Sequence, residues 1–211
     1  MRYQFYREHK YVSSALNDLE RLAAKTDFSN SLDSKKLQEE FEALKAMLEG
    51  HAQWENEQIH ELLRRKHSKI QEEAEKDHLI QDEQLAHLQK LLHQIEGAAL
   101  EEQIQKGYQF YLTYRKFVSD NLAHLHEEET IILPELQRLY TDEELRKVDF
   151  GTYHKMTPEE MVEMMEVLFP HMNRSDRAAF FKDMNDSEPK KFKIAWEKIK
   201  SKIPSEERAN F

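Results

Sequence analysis

Residues 51–63 read HAQWENEQIHELL, and residues 124–136 read HLHEEETIILPEL. Each stretch places a glutamate four residues after a histidine, His51 with Glu55 and His124 with Glu128, on a stripe that is otherwise apolar. Residues four apart lie on the same face of a helix, so each pair directs an imidazole and a carboxylate to one side. The two stretches therefore predict two helices that turn polar side chains toward the core of a helix bundle.

The apolar residues of the first two thirds of the chain recur at spacings of three and four, which is typical of amphipathic helices. They predict four long helices, over about residues 2–25, 34–65, 68–96 and 100–140, with Ser34 as the N-cap of the second. Long helices joined by short connections form antiparallel neighbours. The sequence therefore predicts an all-α fold, an up-down-up-down four-helix bundle.

The other two predicted helices each carry one histidine on their stripe, His9 on the first and His78 on the third. Both lie near the starts of their helices, whereas the two His-x-x-x-Glu pairs lie in the C-terminal halves of theirs. In an up-down bundle these four helix ends lie together, and each side chain is roughly 10–20 Å in from that end at 1.5 Å per residue. All six side chains can therefore meet at one level. Beyond the two glutamates, the same periodicity places Leu62 and Ile131 on the buried stripes.

A core layer of two carboxylates and four imidazoles is a poor core by itself. A buried, unpaired carboxylate costs several kcal/mol or becomes neutral by a shift of its pKa. Divalent cations reverse this balance, and neutral imidazoles with ionised carboxylates are ligands that iron and manganese accept. A single histidine on a helical stripe is more often a core residue than a ligand, so the metal prediction depends on the agreement of all four helix ends.

The remaining histidines have weaker claims to a role in the site. His60 follows Glu55 by five residues and lies off the stripe by about a third of a turn, so it is either a peripheral ligand or a gate. The others are expected to be surface or fold residues: His67, His87, His93, His126, His154 and His171. Serine, histidine and aspartate are present, but no spacing places them as a catalytic triad.

The last third of the chain predicts three or four shorter helices. Thr141 and Thr157 each precede a glutamate by three residues, which is the pattern of a capping box, and Ser175 and Ser187 are further N-cap candidates. We therefore expect two domains, a bundle over residues 1–140 and a C-terminal helical extension over residues 141–211 packed on it.

Composition excludes several classes of function. The chain has 211 residues, of which 34% are charged and none is cysteine, so thiolate nucleophiles, disulfides and cysteine-ligated clusters are ruled out. Its formal net charge of −10 disfavours nucleic acid as a partner. No stretch has the length of a membrane span, and the first residues lack the apolar run of a signal peptide. We expect a cytoplasmic protein with no membrane and no nucleic-acid partner, and nothing in the sequence identifies a protein partner.

Four stretches resemble the hemerythrin-like family, also called the HHE cation-binding domain: REHKYV (7–12), HAQWENEQIHELL (51–63), KDHLIQDEQL (76–85) and HLHEEETIILPEL (124–136). The resemblance covers about residues 1–140, and the C-terminal part resembles a helical extension of some bacterial members. It implies two non-haem iron ions joined by an oxo or hydroxo bridge. In the family pattern the nitrogen ligands would be His9, His51, His78 and His124, and the bridging carboxylates would be Glu55 and Glu128.

The chain departs from the oxygen-carrying members of that family at two positions. Ala74 stands where they have a second histidine one turn before the third-helix ligand, and Glu129 stands where they have a bridging aspartate. The missing histidine argues against reversible oxygen carriage. The resemblance then implies a protein that binds or responds to dioxygen, peroxide, nitric oxide or iron itself. The alternatives are a di-iron oxidoreductase, peroxidase-like or nitric-oxide-handling, and a helical interaction module with a structural metal.

Overall fold

All regular secondary structure in residues 2–203 and 205–208, the part of the chain that the computed structural model describes, is helical. This confirms the all-α prediction. Within that part no helix combines the length and the apolarity that a membrane span requires. The chain divides into two compact units: Val12–Ile132, here the bundle unit, and Met1–Tyr11 with Leu133–Phe211, here the terminal unit. The predicted division into domains at residue 140 stays a prediction.

The bundle unit contains the four predicted helices. The first is α1 (His9–Lys25), which belongs to this unit from residue 12 onward. The second is α2 (Ser31–Trp54), which continues through a π turn (Glu55–Ile59) into α3 (His60–Arg65). The third is α4 (Gln71–Glu96), and the fourth is α5 (Leu100–Glu127), which a second π turn (Glu128–Ile132) extends. The predicted N-cap of the second helix was wrong. Asn30, not Ser34, caps α2, and its side chain accepts a 3.0 Å hydrogen bond from the Leu32 amide.

The core of the bundle unit is a continuous apolar cluster in which α4 packs against both α5 and α2. Phe41, Phe110 and Tyr114 are fully buried at its centre. The Tyr114 hydroxyl donates a 2.9 Å hydrogen bond to the Leu16 carbonyl, because a buried phenol needs a partner for its polar end. This hydrogen bond joins α5 to α1 in the middle of the cluster.

Each of the two π turns begins at a glutamate of a His-x-x-x-Glu pair, Glu55 and Glu128. A π turn accommodates one more residue than an α turn, so the stripe beyond it moves by one position. The prediction of Ile131 as a buried residue was therefore wrong, and Leu62 is only half-buried. Leu63 and Ile132 are buried instead, and Ile131 is 46% exposed. The two polar pairs thus lie at the points where both long helices change their winding.

Replacement of a helical glycine by alanine should have opposite effects on stability at Gly50 and at Gly107. The Phe28 ring occupies the space into which a Cβ at Gly107 would project, whereas nothing lies within 4 Å of one at Gly50. Gly50→Ala should raise the free energy of unfolding by about 0.5–1 kcal/mol through helix propensity. Gly107→Ala should lower it by about 1–3 kcal/mol, because Phe28 must move. Urea unfolding of both variants tests this, and a stabilised Gly107→Ala would show that Phe28 is not packed on the helix.

In the described residues from 133 onward, the terminal unit holds six α-helices; the first lies within the predicted fourth helix, and five follow residue 141, where the sequence predicts three or four. They are α6 (Leu133–Leu139), α7 (Asp142–Lys155), α8 (Pro158–Leu168), α9 (Arg174–Ser187), α10 (Pro189–Ile199) and α11 (Ser205–Arg208). The capping boxes at Thr141 and Thr157 are both present. Ser175 and Ser187 were wrong as caps, because Asn173 caps α9 and Ser187 is its last residue. Helices α8, α9 and α10 pack around a second apolar cluster centred on Phe181.

A buried charge cluster ties the first residues of the chain to the C-terminal helices of the terminal unit. Asp183 is 2% exposed, and its carboxylate lies 3.1 Å from Arg7 Nη1 and 3.2 Å from Arg146 Nε. Arg2 makes a further ion pair of 2.7 Å with Asp142. The Arg2–Asp142 and Arg7–Asp183 pairs join residues 140 and 176 positions apart in sequence and hold the segment that leads into α1.

Asp149 makes the stability of the terminal unit depend on pH. Enclosure of its carboxyl group raises the pKa to about 7, assisted by Glu8 and Asp183, although the Tyr3 hydroxyl and Arg7 act in the opposite direction. In the unfolded chain the same group loses its proton near pH 4. Between those values the folded state holds a proton that the unfolded state lacks, so the contribution of Asp149 to stability falls as pH rises from about 4 to 7.

We therefore expect Asp149→Asn to gain stability relative to the unchanged protein across that pH window, and the difference to level off above it. Urea unfolding of both proteins between pH 4.5 and 8.5 measures the difference, in which the other titrating groups largely cancel. Parallel stability profiles would contradict the raised pKa.

Candidate metal centre

Four side chains of the bundle unit converge in one buried group: Glu55, His78, His124 and Glu128. One ligand atom from each lies within 4.8 Å of the others. His78 Nε2 is 2.9 Å from His124 Nε2 and 3.4 Å from a Glu55 oxygen. His124 Nε2 is 3.4 Å from Glu128 Oε1. The π turns and the α4 and α5 helices therefore bring together four of the residues that the sequence predicts.

The Glu55 carboxylate faces two imidazoles with its two oxygens. Oε1 lies 3.3 Å from His51 Nε2, and Oε2 lies 3.4 Å from His78 Nε2. His51, Glu55 and Glu128 also each offer a ligand atom within 4.8 Å of one another. Glu55 and Glu128 thus belong to both groups. The groups differ in their histidines, which are His78 and His124 in the first and His51 in the second. Each glutamate therefore lies within reach of both groups of donor atoms.

The burial of both glutamates supports a cation at this place. Glu55 and Glu128 are 0% exposed, and His78 and His124 are 4% exposed. Two carboxylates buried side by side repel each other and lose their hydration, a cost of several kcal/mol for each ion. Imidazole nitrogens and carboxylate oxygens aimed at a common point are a suitable donor set for divalent iron or manganese. The residues present therefore fit a metal ion.

His9 belongs to the terminal unit. It is the first residue of α1, it is 2% exposed, and its ring stacks on Tyr6 at 4.4 Å between centroids. A buried histidine at the start of this helix agrees with the predicted stripe. Its role as a metal ligand stays a prediction.

His60 is fully buried because of the π turn. Its amide donates to the Glu55 carbonyl, which is the π-type bond, and the turn brings the ring inward from the position an α-helix would give it. The ring stacks on His78 at 5.6 Å between centroids, and burial lowers the pKa of His60 to about 4. It lies beside His78 and outside the two ligand groups. The off-stripe position that the sequence predicts for His60 was therefore wrong, because the π turn makes it a core residue, and its role as a peripheral ligand or a gate stays a prediction.

Two residues behind the site were missed by sequence reasoning. Asn56 Oδ1 lies 2.9 Å from His60 Nδ1 and 3.1 Å from His78 Nδ1, and Asp77 Oδ2 lies 3.4 Å from His124 Nδ1. Each is the chain neighbour of a stripe residue and so lies about 100° away from it on the helix. The apolar periodicity of a helix predicts that side chains at such positions face solvent. The only available signal was the general rule that ligating histidines have an acceptor for their second nitrogen.

The two positions at which the chain departs from the oxygen carriers are also clear in the structure. Glu129 is exposed, whereas Glu128 is buried in the centre, so the last glutamate of the run points away from it. Ala74 is 7% exposed and lies one turn before His78 on α4. A methyl group therefore occupies the position where those proteins have an imidazole.

An open cleft of about 560 Å³ leads from solvent to His78. It lies between α2 with its π turn and α4, and Asn56 lines it next to His78. Four carboxylate side chains also line it: Glu49, Glu57, Glu75 and Asp82. Glu75 pairs with Arg64, and Glu49 lies 3.7 Å from Lys45. The cleft gives small solutes, and cations in particular, a short path to one side of the centre.

Comparison with known proteins agrees with the geometry. The family model of the hemerythrin HHE cation binding domain matches residues 1–136, which is more than half of the chain. No curated protein and no solved structure matches the chain at a significant level. The match begins before His9 and ends after Glu128, and so it contains every predicted ligand. Metal cation binding is accordingly the function of this domain, and the chain belongs to the hemerythrin HHE cation-binding family.

Proposed function

We propose that this protein holds two non-haem iron ions and that this centre binds or responds to dioxygen, peroxide, nitric oxide or iron itself. The observation that carries the proposal is the Glu55 carboxylate, whose two oxygens lie 3.3 and 3.4 Å from imidazole nitrogens of different histidines. A carboxylate that serves a single ion has no need of a histidine on each oxygen. Glu128, which belongs to both groups, supports a second bridge.

The full ligand set that we propose combines the bundle unit with one residue predicted from sequence: His9, His51, Glu55, His78, His124 and Glu128. Four imidazoles and two bridging carboxylates supply eight donor atoms, and two octahedral ions offer about twelve positions. The remaining positions suit an oxo or hydroxo bridge and a small exogenous ligand. Bound iron would supply redox chemistry, while the protein side chains orient it and exclude bulk water.

An oxidoreductase that uses the same centre is the second candidate, and the cleft that reaches His78 favours it because a small substrate can enter there. Peroxidase-like or nitric-oxide-handling activity would appear as sustained turnover when the iron-loaded protein is supplied with a reductant. A sensor would react once and stop. A helical interaction module with a structural metal, the third candidate, would lose its fold without metal and show no reaction with any of these ligands.

We expect the iron-loaded, reduced protein to be oxidised irreversibly by air. Ala74 leaves a ligand position that the oxygen carriers fill with imidazole, and the cleft admits water beside His78. Stopped-flow absorbance of the anaerobic ferrous protein mixed with oxygen measures the reaction. Oxygen uptake that is reversed by evacuation over several cycles would contradict this expectation and favour a carrier.

A further inference from the structure

Asn56 holds two buried histidines through one carbonyl oxygen. Its Oδ1 lies 2.9 Å from His60 Nδ1 and 3.1 Å from His78 Nδ1. An amide oxygen accepts hydrogen bonds and never donates them, and it has two lone pairs. Both contacts can be hydrogen bonds only if each ring carries its hydrogen on Nδ1. The geometry thus assigns the same tautomer to His60 and His78.

This tautomer is the one that a metal ligand at His78 needs. With the hydrogen on Nδ1, Nε2 of His78 carries a lone pair and no hydrogen, so in the metal-free chain it is the acceptor of the 2.9 Å hydrogen bond with His124 Nε2, and it lies 3.4 Å from Glu55. In the other tautomer the hydrogen on Nε2 would point into the ligand group and block coordination. Whether Nδ1 of His78 carries the hydrogen therefore decides whether Nε2 can bind a metal ion.

His60 fixes the orientation of the Asn56 side chain. It is fully buried, and its Nε2 has no hydrogen-bond partner within residues 2–203 and 205–208. Its ring is parallel to that of His78 within 15°. Because His60 takes one lone pair of the Asn56 oxygen and His78 takes the other, the amide cannot rotate without losing two hydrogen bonds. His60 thereby fixes the direction of the carbonyl that fixes His78.

We infer that Asn56, held by His60, is a positioning residue that keeps His78 in the Nδ1–H tautomer and so keeps its Nε2 available to metal. The inference rests on the proposed function for its purpose, but the tautomer itself is a property of the metal-free chain.

The two histidines that face each other in the centre are backed by acceptors of different charge. His124 Nδ1 lies 3.4 Å from the Asp77 carboxylate, whereas His78 Nδ1 faces the neutral Asn56 amide. A carboxylate partner makes an imidazole a more basic ligand than an amide partner does. The amide at Asn56 fixes the tautomer of His78 without adding another negative charge beside Glu55.

The test reads the tautomer directly. Long-range proton–nitrogen NMR correlations of the metal-free, ¹⁵N-histidine-labelled full chain at pH 8 show which ring nitrogen carries the hydrogen. We expect Nδ1–H for His78 and His60 in the unchanged protein, loss of that state at His78 in Asn56→Leu, and its retention in Asn56→Asp, which keeps an acceptor. Gln53→Ala is the matched control, because Gln53 lines the same cleft one turn earlier and its side-chain amide donates a 2.8 Å hydrogen bond to the exposed Glu57.

A second readout connects the tautomer to metal binding. Ferrous iron should leave Asn56→Leu for a colorimetric chelator about 10-fold faster or more, and leave Gln53→Ala at the original rate. A hydrogen on Nε2 of His78 in the unchanged protein, or an unaltered His78 in a folded Asn56→Leu, would overturn the inference. An altered tautomer with an unaltered release rate would overturn the positioning role. If the unchanged protein shows the expected tautomer and binds no iron, the proposed function fails and the tautomer assignment stands.

Discussion

Replacing Glu128 by alanine is expected to remove most of the bound iron, whereas replacing its neighbour Glu129 should leave the iron content unchanged. Glu128 is 0% exposed and belongs to both ligand groups, while Glu129 points to solvent. Loss of an outer-shell partner already costs roughly 10–100-fold in metal affinity, and loss of a bridging ligand should cost more. Iron per chain, measured by elemental analysis after anaerobic loading, distinguishes the two variants.

The two variants also decide which of two adjacent carboxylates the centre uses. The oxygen-carrying members place their bridging aspartate at the position of Glu129, and the π turn that begins at Glu128 determines which residue faces inward here. An empty Glu129→Ala protein beside a fully loaded Glu128→Ala protein would mean that this turn is wound differently when metal is bound. Circular dichroism of both variants serves as the control for folding.

Replacing Asp183 by alanine is expected to lower the free energy of unfolding by about 3–5 kcal/mol. Asp183 is 2% exposed, and its removal leaves the Arg7 and Arg146 guanidinium groups without their shared carboxylate. Breaking a buried ion pair from one side leaves an uncompensated charge, and that accounts for most of the cost. Urea unfolding followed by circular dichroism measures the loss.

The matched control lies one turn further along the same helix. Asp186 is exposed and pairs with Lys182 four residues before it, an arrangement that contributes about 0.3–0.5 kcal/mol. Asp186→Ala should therefore be nearly neutral. Similar losses in the two variants would show that the effect belongs to α9 itself and not to the buried cluster that holds the N-terminal segment.

Periodicity predicted the long helices of the bundle but failed beyond both glutamates. The helix spans lie within a few residues of their predicted limits, because apolar residues at spacings of three and four leave little freedom, except that the first helix begins at His9 and not near residue 2. The π turns at Glu55 and Glu128 each moved the stripe by one residue, which buried Leu63 and Ile132 and brought His60 inward. No local propensity marks such a turn, since its stability depends on what the inserted residue packs against.

The candidate ligands could be predicted because they lie on the stripes, whereas the residues that support them could not. His51, His78 and His124 share faces with core leucines, so their inward direction follows from helix geometry alone. Asn56 and Asp77 are stripe neighbours, and only the separation of α2 from α4 and of α4 from α5 brings them to a histidine. The pairing of Arg7 with Asp183 could not be predicted from the sequence either, because 176 positions separate the two residues.

The most direct test of the central claim is the iron content of the unchanged protein together with its Mössbauer spectrum. After anaerobic loading with ferrous ⁵⁷Fe, removal of unbound metal and exposure to air, we expect two iron ions per chain that behave as an exchange-coupled ferric pair. That result follows from two carboxylates that each belong to two ligand groups. One ion per chain, uncoupled iron, or a single tetrahedral zinc with no iron taken up would contradict the account.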